Sequence, residues 1–415
     1  MLNSIHHPRF GDKQNSPFFE EYLPRLLEAR DRNGLTEMIG SIEALMMTVE
    51  PGNALEYIAE LALMTPYHYL VTLDSAKHFT HVLRIDMDSP DILLRETKDA
   101  ASIGIFRSMN DLYPVGAQRP HSRYIGEILL ATDRHEVVAL QQQREFRFFT
   151  IGQLAEMDFP LNVSLSKPSP YTQNVVGYME RAADGIRVYQ HGECVILDSA
   201  QAAYERGKEM QERIGIKDLI LPIDHLATRV YSQNREPALL EYLALSSYYY
   251  WGSYDITDQN SSTNVTKNVR GVPESESPAK VFTANNQPYC VNHLDQLPSP
   301  TETFVRNYGP RLHHMALAVK DGQHNGREYI DFVVDAISAQ GKGFLLDTVG
   351  SREEGLKQIF SSASDFSSLI IEYVQRFGDF QGFFARNNVA LLTFAAGLEE
   401  GVREQGERAT FAHKQ

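Results

Sequence analysis

The chain has 415 residues, of which 42% are hydrophobic and 22% charged, and its formal net charge is −15. This length suits two or three domains, and no apolar run approaches the roughly 18–20 residues that a membrane-spanning helix needs. The acidity and the lack of any Lys/Arg cluster argue against nucleic acid as a partner. Two cysteines are too few for a disulfide framework, which predicts a reducing, cytoplasmic setting.

The first 62 residues predict an N-terminal helical segment, because apolar residues recur at helical spacing across 17–62. From Tyr67 the pattern changes to short segments rich in β-formers. These segments are HYLVTL, HVLRIDM, EILLAT, EVVAL and FRFFTI. A predicted helix over 199–214 then separates a first half, residues 63–205, from a second half, residues 206–415.

The second half shows a similar order of elements. It begins with a predicted strand, DLILPIDHLATRVY, and continues through a polar stretch at 257–279 that predicts a loop or a pair of edge strands with a flexible tip. Later segments predict three more strands around one helix, and a helix near the C-terminus. A strand, a helix and then several strands in each half predict an α+β fold of tandem βαβββ modules, although the halves share no convincing residue-level repeat.

Three predicted strands of the second half each carry an ionisable residue in an otherwise apolar run: His225, His314 and Glu372. A carboxylate in such a run is costly to bury unless it is paired or bound to a metal. Two imidazoles and one carboxylate on converging strands form the facial triad that suits Fe(II) and leaves positions open for a substrate and O2. The pattern therefore makes an iron site one hypothesis for this half.

His314 has a neighbouring histidine, and strand alternation distinguishes the two. On a regular strand His314 shares its face with Ala316, whereas His313 shares the opposite face with Met315. Because a small neighbour leaves room for a metal and its ligand, alternation favours His314 as the ligand.

Spacing alone leaves a second interpretation open. The histidines are also compatible with hydrogen-bonded core residues, and Glu372 with an ion pair to Arg229 or Arg376.

Residues 218–410 resemble the C-terminal half of the 4-hydroxyphenylpyruvate dioxygenase family, which belongs to the vicinal oxygen chelate superfamily. Several short motifs occur in the family's order, and together they are more specific than any one of them. They are Asp224-His225, HHMAL at 313–317, LLD at 345–347, GLKQIF at 355–360, EYVQR at 372–376 and FQGFF at 380–384.

The resemblance implies half-barrel sheets, a degenerate non-catalytic βαβββ unit in the first half and a C-terminal lid helix. It also implies Fe(II) as the cofactor, held by His225, His314 and Glu372. The family has glutamine at two positions where this chain has His313 and Glu302. Substrate contacts implied by the matching motifs are Asn286, Ser299, Glu302, Gln358, Phe360, Phe380 and Phe384.

The function expected from this resemblance is that of an oxidoreductase of aromatic amino acid catabolism. The enzyme would use O2 to decarboxylate a 2-oxo acid oxidatively and to hydroxylate the same molecule, with an arylpyruvate such as 4-hydroxyphenylpyruvate as the favoured substrate. Three alternatives stay open: a relative acting on another 2-oxo acid, including mandelate-type benzylic hydroxylation, an extradiol dioxygenase, and a metal-free binding protein of the same fold. The sequence also leaves the oligomeric state undetermined, and a homo-oligomer is compatible with it.

Overall fold

The computed structural model describes residues 16–256, 259–268, 277–288, 299–345, 347–378, 380 and 382–397. Within these ranges the chain forms two eight-stranded mixed sheets, one in each half, and a two-stranded hairpin. Each large sheet curls into a half-barrel. No helix in the described ranges is long and apolar enough to cross a bilayer.

The first sheet has the strand order β6-β7-β5-β1-β4-β3-β2-β8. Its strands are β1 (Ile39–Val49), β2 (His68–Asp74), β3 (His78–Arg84), β4 (Asp91–Thr97), β5 (Arg123–Ala131), β6 (Val163–Leu165), β7 (Val175–Met179) and β8 (Glu193–Val195). The second sheet has the order β10-β11-β12-β9-β13-β18-β17-β16. The strands of the second half, including the hairpin β14–β15, are β9 (Ile220–Arg229), β10 (Tyr248–Ile256), β11 (Ser261–Asn268), β12 (Ala279–Asn285), β13 (Arg311–Val319), β14 (Gln323–His324), β15 (Arg327–Glu328), β16 (Val349–Ser351), β17 (Leu356–Phe360) and β18 (Ile370–Arg376).

The helices connect these strands and pack against the sheets. They are α1 (Ser16–Arg32), α2 (Leu35–Met38), α3 (Ala54–Met64), α4 (Ile105–Asn110), α5 (Arg134–Gln143), α6 (Ile151–Glu156), α7 (Asp198–Arg213), α8 (Arg235–Leu245), α9 (Pro300–Tyr308) and α10 (Tyr329–Ser338). A further helix covers residues 386–397.

Each sheet consists of two units that begin with a strand and a helix. In the second half these are β9-α8-β10-β11-β12 and β13-α10-β16-β17-β18, and their first strands pair antiparallel at the centre of the sheet. The first half follows the same plan with β1 and β5 as the antiparallel central pair, but only β6 and β7 follow β5 on its side of the sheet, and β8 pairs with β2 at the opposite edge. The predicted α+β fold of tandem βαβββ modules is therefore confirmed, with two such units in each half where one was expected.

The helical prediction for 17–62 is wrong for residues 39–49, which form the central strand β1. Nine of its eleven residues are buried, so the strand lacks the alternation of a half-exposed one, and its apolar spacing imitates a helix. The segment EVVAL is likewise not a strand but part of α5, which begins after Asp133 because that carboxylate accepts a hydrogen bond from the Glu136 amide.

The segment FRFFTI is not a strand either, because Phe148 forms only an isolated bridge to Ser166 and Ile151 begins α6. The remaining main elements lie where they were predicted, including a helix over Asp198–Arg213 and a C-terminal helix. The predicted flexible tip of the 257–279 stretch lies largely at 269–276, outside the described residues, as does the start of the N-terminal segment at 1–15. The domain limits at 62 and 205 stay predictions.

One apolar core joins the two halves on the helical side of the sheets. It contains residues of both sheets and of α3, α7, α8 and α10, among them Leu45, Tyr204, Leu226 and Tyr373. The Tyr373 hydroxyl also donates to the Met64 carbonyl of the first half at 2.8 Å. The concave faces carry separate apolar clusters, and the cluster of the second sheet includes small residues that leave space above the strands.

Candidate metal centre

Three adjacent central strands of the second sheet carry His225, His314 and Glu372. On β13, Ala316 lies opposite His225 of β9 on one side and opposite Glu372 of β18 on the other. His314 precedes Ala316 by two residues and therefore projects from the same face. The small Ala316 side chain leaves the space between the three larger groups open.

The three side chains, called the triad below, converge on one point. The His225 Nε2 and His314 Nε2 atoms are 3.3 Å apart, and the Glu372 Oε2 atom is 3.0 Å from the first and 3.2 Å from the second. Ligand atoms at about 2.1 Å from a divalent ion, at right angles to each other, lie about 3.0 Å apart. All three residues are buried, and the donor set of two imidazoles and one carboxylate fits Fe(II).

Further side chains fix the orientation of the triad. The His225 Nδ1 atom is 2.7 Å from Asp224 Oδ1, and Arg376 pairs with the same carboxylate, its Nη2 atom lying 3.1 Å from Oδ1. Gln358 donates from Nε2 to the Glu372 Oε1 atom at 2.6 Å. These contacts leave His225 Nε2 and Glu372 Oε2 directed at the point where the triad converges. Residues that contact metal ligands commonly orient them in this way.

The charges of the triad stabilise one another. Burial disfavours the ionised form of Glu372, but the two histidines outweigh it and lower the pKa of Glu372 to about 2. Burial also disfavours protonation of His225, yet Glu372 and Asp224 raise its pKa to about 9. For His314 burial dominates, and its pKa is lowered. Without a metal, the site thus holds an ionised Glu372 beside a protonated His225, and a bound cation would take the place of that proton.

His313 lies beside His314 and not on the opposite face, contrary to the prediction from alternation. The register between β13 and β9 shifts between Leu312 and His314. These two residues pair with consecutive residues of β9, so His313 is an extra residue in β13. Such a β-bulge turns its extra residue out of the regular alternation. The His313 Nδ1 atom consequently lies 2.8 Å from the His314 Nδ1 atom, and both rings contact Phe360.

A narrow cavity of about 50 Å³ opens above the triad. Its described lining includes residues of the strands and of the C-terminal helix. Apart from His314 and Glu372, these are Ala227, Arg229, Thr263, Val281, Thr283, His313, Gln358, Phe360, Phe384, Val389, Leu392 and Thr393. Of the predicted substrate residues, Gln358, Phe360 and Phe384 therefore line this cavity, and the Phe384 ring centroid is 5.1 Å from that of His225.

Asn286 is not among the described lining residues of this cavity, and its substrate contact stays a prediction. Its side-chain oxygen accepts from Arg235 Nη1 at 2.9 Å, and its nitrogen donates to Asp255 Oδ1 at 2.5 Å. Both polar ends of the amide are thus used within the protein.

Ser299, Glu302 and Phe380 also lie outside the described lining. Ser299 and Glu302 are at the start of α9, where Glu302 is 2% exposed and its Oε2 atom accepts from the Ser232 amide at 3.3 Å. The Phe380 ring packs against Gly355. The substrate contacts of these three residues therefore stay predictions.

Several site residues were missed by the sequence interpretation. Arg229 follows His225 by four residues on the same face of β9, so alternation could have identified it; its Nη1 atom donates to the Pro300 carbonyl at 3.0 Å. No sequence signal identified Phe383, whose carbonyl accepts from Arg376 Nη2 at 3.0 Å and whose ring lies 5.5 Å from His225.

No family model matches the chain, and no curated protein matches it significantly. Solved structures do match. A mutant of 4-hydroxymandelate synthase from Streptomyces coelicolor is 14% identical, with a TM-score of 0.60 over 87% of this chain and 99% of that one. A xylose isomerase-like TIM barrel/4-hydroxyphenylpyruvate dioxygenase fusion protein is 11% identical, with a TM-score of 0.53 over 92% of this chain and 59% of that one. The half-barrel sheets and these two likenesses together show that the chain has the vicinal oxygen chelate fold of the 4-hydroxyphenylpyruvate dioxygenase type.

Proposed function

We propose that this protein is an Fe(II)-dependent dioxygenase that oxidatively decarboxylates a 2-oxo acid and hydroxylates the same molecule. An arylpyruvate such as 4-hydroxyphenylpyruvate is the favoured substrate. The convergence of the triad at the floor of a phenylalanine-lined cavity carries the proposal. The names of the two similar structures support it, because one is a 4-hydroxymandelate synthase and the other contains a 4-hydroxyphenylpyruvate dioxygenase.

His225, His314 and Glu372 would hold the iron. A bound Fe(II) with these three ligands supplies open positions for the carboxylate and keto oxygens of a 2-oxo acid and for O2. This local capture explains how a chain with a net charge of −15 binds an acidic substrate.

The protein's own residues keep the ligand atoms available. When His314 binds a metal through Nε2, its Nδ1 atom carries the proton, and the nearby Nδ1 atom of His313 accepts it in a hydrogen bond. Asp224 does the same for His225, and Gln358 holds the second oxygen of Glu372. Each ligand therefore presents one defined atom to the ion.

The cavity walls determine what lies beyond the chelating end of the substrate. Phe360 and Phe384 flank His314 and His225, and the apolar side chain of Val281 lines the same space. An aromatic ring can pack between these groups, and the rings exclude water from the reacting atoms. Arg229 and Gln358 supply polar contacts at the cavity wall.

The decisive experiment is an anaerobic titration of the iron-loaded protein with 4-hydroxyphenylpyruvate. We expect a weak visible charge-transfer band from bidentate chelation, followed by one CO2 released per turnover when O2 is added. Product analysis then distinguishes ring hydroxylation from benzylic hydroxylation. A protein that binds no iron, or that cleaves a catechol ring and leaves every 2-oxo acid intact, contradicts the proposal.

A further inference from the structure

The concave face of the first sheet holds a second cavity, of about 450 Å³, that the proposed reaction does not use. When the two sheets are matched by strand register, three of its lining residues correspond to residues that line the cavity above the triad. These three are Thr48, Arg95 and Ile125. Their counterparts are, in the same order, Arg229, Thr283 and His313. The two cavities thus occupy the same place in the two half-barrels, and each contains one arginine beside one threonine on neighbouring strands.

The lining of this cavity is cationic, although the chain as a whole has a net charge of −15. Among its described residues are Lys77, Arg95, Arg107 and Lys167, against a single carboxylate, that of Glu156. A concave, low-dielectric surface of one sign attracts ligands of the opposite sign. The charge therefore points to an anion.

Arg95 provides a specific recognition group at the floor of the cavity. Its side chain is 2% exposed, and its Nη2 atom donates to the Asp158 main-chain oxygen at 2.9 Å. Its Nε and Nη1 atoms have no acceptor among the described residues. The Asp158 carboxylate instead accepts from the Ser75 hydroxyl at 2.5 Å and the Lys77 amide at 3.0 Å. Buried donors without an acceptor are costly, so a ligand oxygen that satisfies them gains affinity.

The remaining lining is rich in aromatic rings. The Arg95 guanidinium carbon lies 3.8 Å from the Phe159 ring centroid, Lys167 Nζ lies 3.7 Å from that of Phe149, and Phe106 packs edge to face on Phe159. An apolar ring fits such a surface better than a strongly hydrated anion does.

We propose that this cavity binds a small carboxylate with an aromatic body, with its charged end at Arg95 and its ring among the phenylalanines. Because Arg95 is covered in the free protein, the ligand reaches its donors by displacing the Phe159 ring. A carboxylate matches the single guanidinium at the floor, and the aromatic rings around it favour a ligand with an apolar body over a strongly hydrated phosphate. The site is independent of the iron chemistry proposed for the second half.

The test uses the full chain and 4-fluorophenylacetate, with binding followed by 19F NMR. We expect saturable binding that weakens at least 10-fold in Arg95→Met, which keeps the size and apolar contact of the side chain but removes its donors. Arg229→Gln changes the arginine that lines the cavity above the triad and should leave this affinity within about 2-fold. Inorganic phosphate and the neutral 4-fluorobenzyl alcohol should compete at least 10-fold less well.

Arg95→Met is buried and could fail to fold, so the partly exposed Arg107→Gln and Lys167→Gln variants provide a second measurement, and together they should weaken binding several-fold. Affinity that survives in these variants overturns the proposal. So does affinity that is lost in Arg229→Gln and kept in Arg95→Met, because the ligand then occupies the second half. Equal competition by phosphate also overturns it, since the cavity would then bind any anion.

Discussion

The two halves of the chain share one architecture, and only the second carries the triad. In each half the central antiparallel pair and its parallel neighbours have the same register, which allows residue positions to be matched. At the positions of the three proposed ligands the first half has Ala44, Gly126 and Gly177. The proposed metal site therefore depends on three side chains set in a fold that does not require them.

The packing of the first half also closes the space that a ligand set would need. A Cβ atom on Gly177 would lie 2.6 Å from the Leu165 side chain, and one on Gly126 would lie 1.9 Å from the Val175 carbonyl oxygen. Neither a carboxylate nor an imidazole fits there without movement of the backbone. At the positions that match the triad, the first half is thus filled by apolar packing, whereas the second half carries polar side chains.

Two features survive in both halves. A register shift surrounds Ile125 as it does His313, and the carboxylate of Glu43 pairs with Arg181 at 2.7 and 2.9 Å, as Asp224 pairs with Arg376. These acid–arginine pairs join β1 to the residues that follow β7, and β9 to β18. Because both features are present in the half that lacks the triad, the bulge and the ion pair belong to the fold, and the proposed metal site would use them in addition.

The largest effect is expected when a proposed ligand of the second half is replaced by the residue at the same position of the first half. His225→Ala reproduces Ala44, and we expect it to lower Fe(II) affinity by more than about 100-fold, because losing a ligand costs more than losing a partner of one. Iron retention after dialysis against a chelator measures the effect. His135→Ala, an exposed histidine in α5, is the matched control and should keep its iron. Unchanged retention in His225→Ala would show that iron binds elsewhere.

His313→Ile makes the bulge of the second half identical to that of the first. Removing the acceptor for His314 Nδ1 should lower metal affinity roughly 10- to 100-fold. His313→Gln keeps an acceptor and should lose less. The d–d spectrum of the Co(II)-substituted protein reports the ligand geometry independently of activity. If His313→Ile shows wild-type affinity and spectrum, the contact between the two histidines does not orient the ligand.

Matched substitutions can distinguish the roles of the two acid–arginine pairs. Asp224→Asn and Glu43→Gln should each lower the free energy of unfolding by about 1–3 kcal/mol, because each weakens a buried, charge-assisted contact. Only Asp224→Asn should also weaken Fe(II) binding, by about 10-fold, since only Asp224 holds a ligand. Denaturant unfolding and metal titration give the two values. An equal loss of iron affinity in Glu43→Gln would refute the division of roles.

The last comparison concerns pH, because His81 of the first half and His225 of the second are buried histidines whose pKa values are shifted in opposite directions. Burial lowers the pKa of His81 to about 4, while the carboxylates outweigh burial and raise that of His225 to about 9. Between pH 6.5 and 4 the unfolded chain binds more protons than folded His81, so stability falls as pH falls. Between pH 6.5 and 9 folded His225 binds more protons than the unfolded chain, so stability of the metal-free protein falls as pH rises.

Thermal unfolding from pH 4 to 9 should therefore show a broad maximum near pH 6.5. His225→Ala should flatten the alkaline side, and His81→Leu the acid side. Fe(II) should also flatten the alkaline side, because the metal binds the neutral imidazole. An alkaline slope that is the same in His225→Ala and wild type would assign it to another group.

Much of the second half could be predicted because its signals are local. Isolated polar residues in apolar strands identified His225, His314 and Glu372, and the order of the motifs around them gave the fold. The central strand β1 could not be recognised, since burial on both faces removes the alternation that marks a strand.

The residues around the triad were harder to predict than the triad itself. A β-bulge has no sequence signature here, so period-two reasoning placed His313 on the wrong face. The positions of Asn286, Ser299 and Glu302 depend on how the strand ends and α9 pack, which no spacing rule describes. Contacts such as that of Arg376 with Phe383 arise only after the chain has folded back on the sheet.

The strand β18 has a consequence for the order in which the site is assembled. It supplies Glu372 and Arg376 and lies next to β13, so until it docks the triad lacks its carboxylate and Asp224 lacks its arginine. Because the chain is synthesised from its N-terminus, the first half can finish folding while the second sheet still has an open edge. At the proposed site, iron loading would therefore wait for the insertion of this one late strand, and a chain truncated before β18 would lack both the Glu372 ligand and the arginine partner of Asp224.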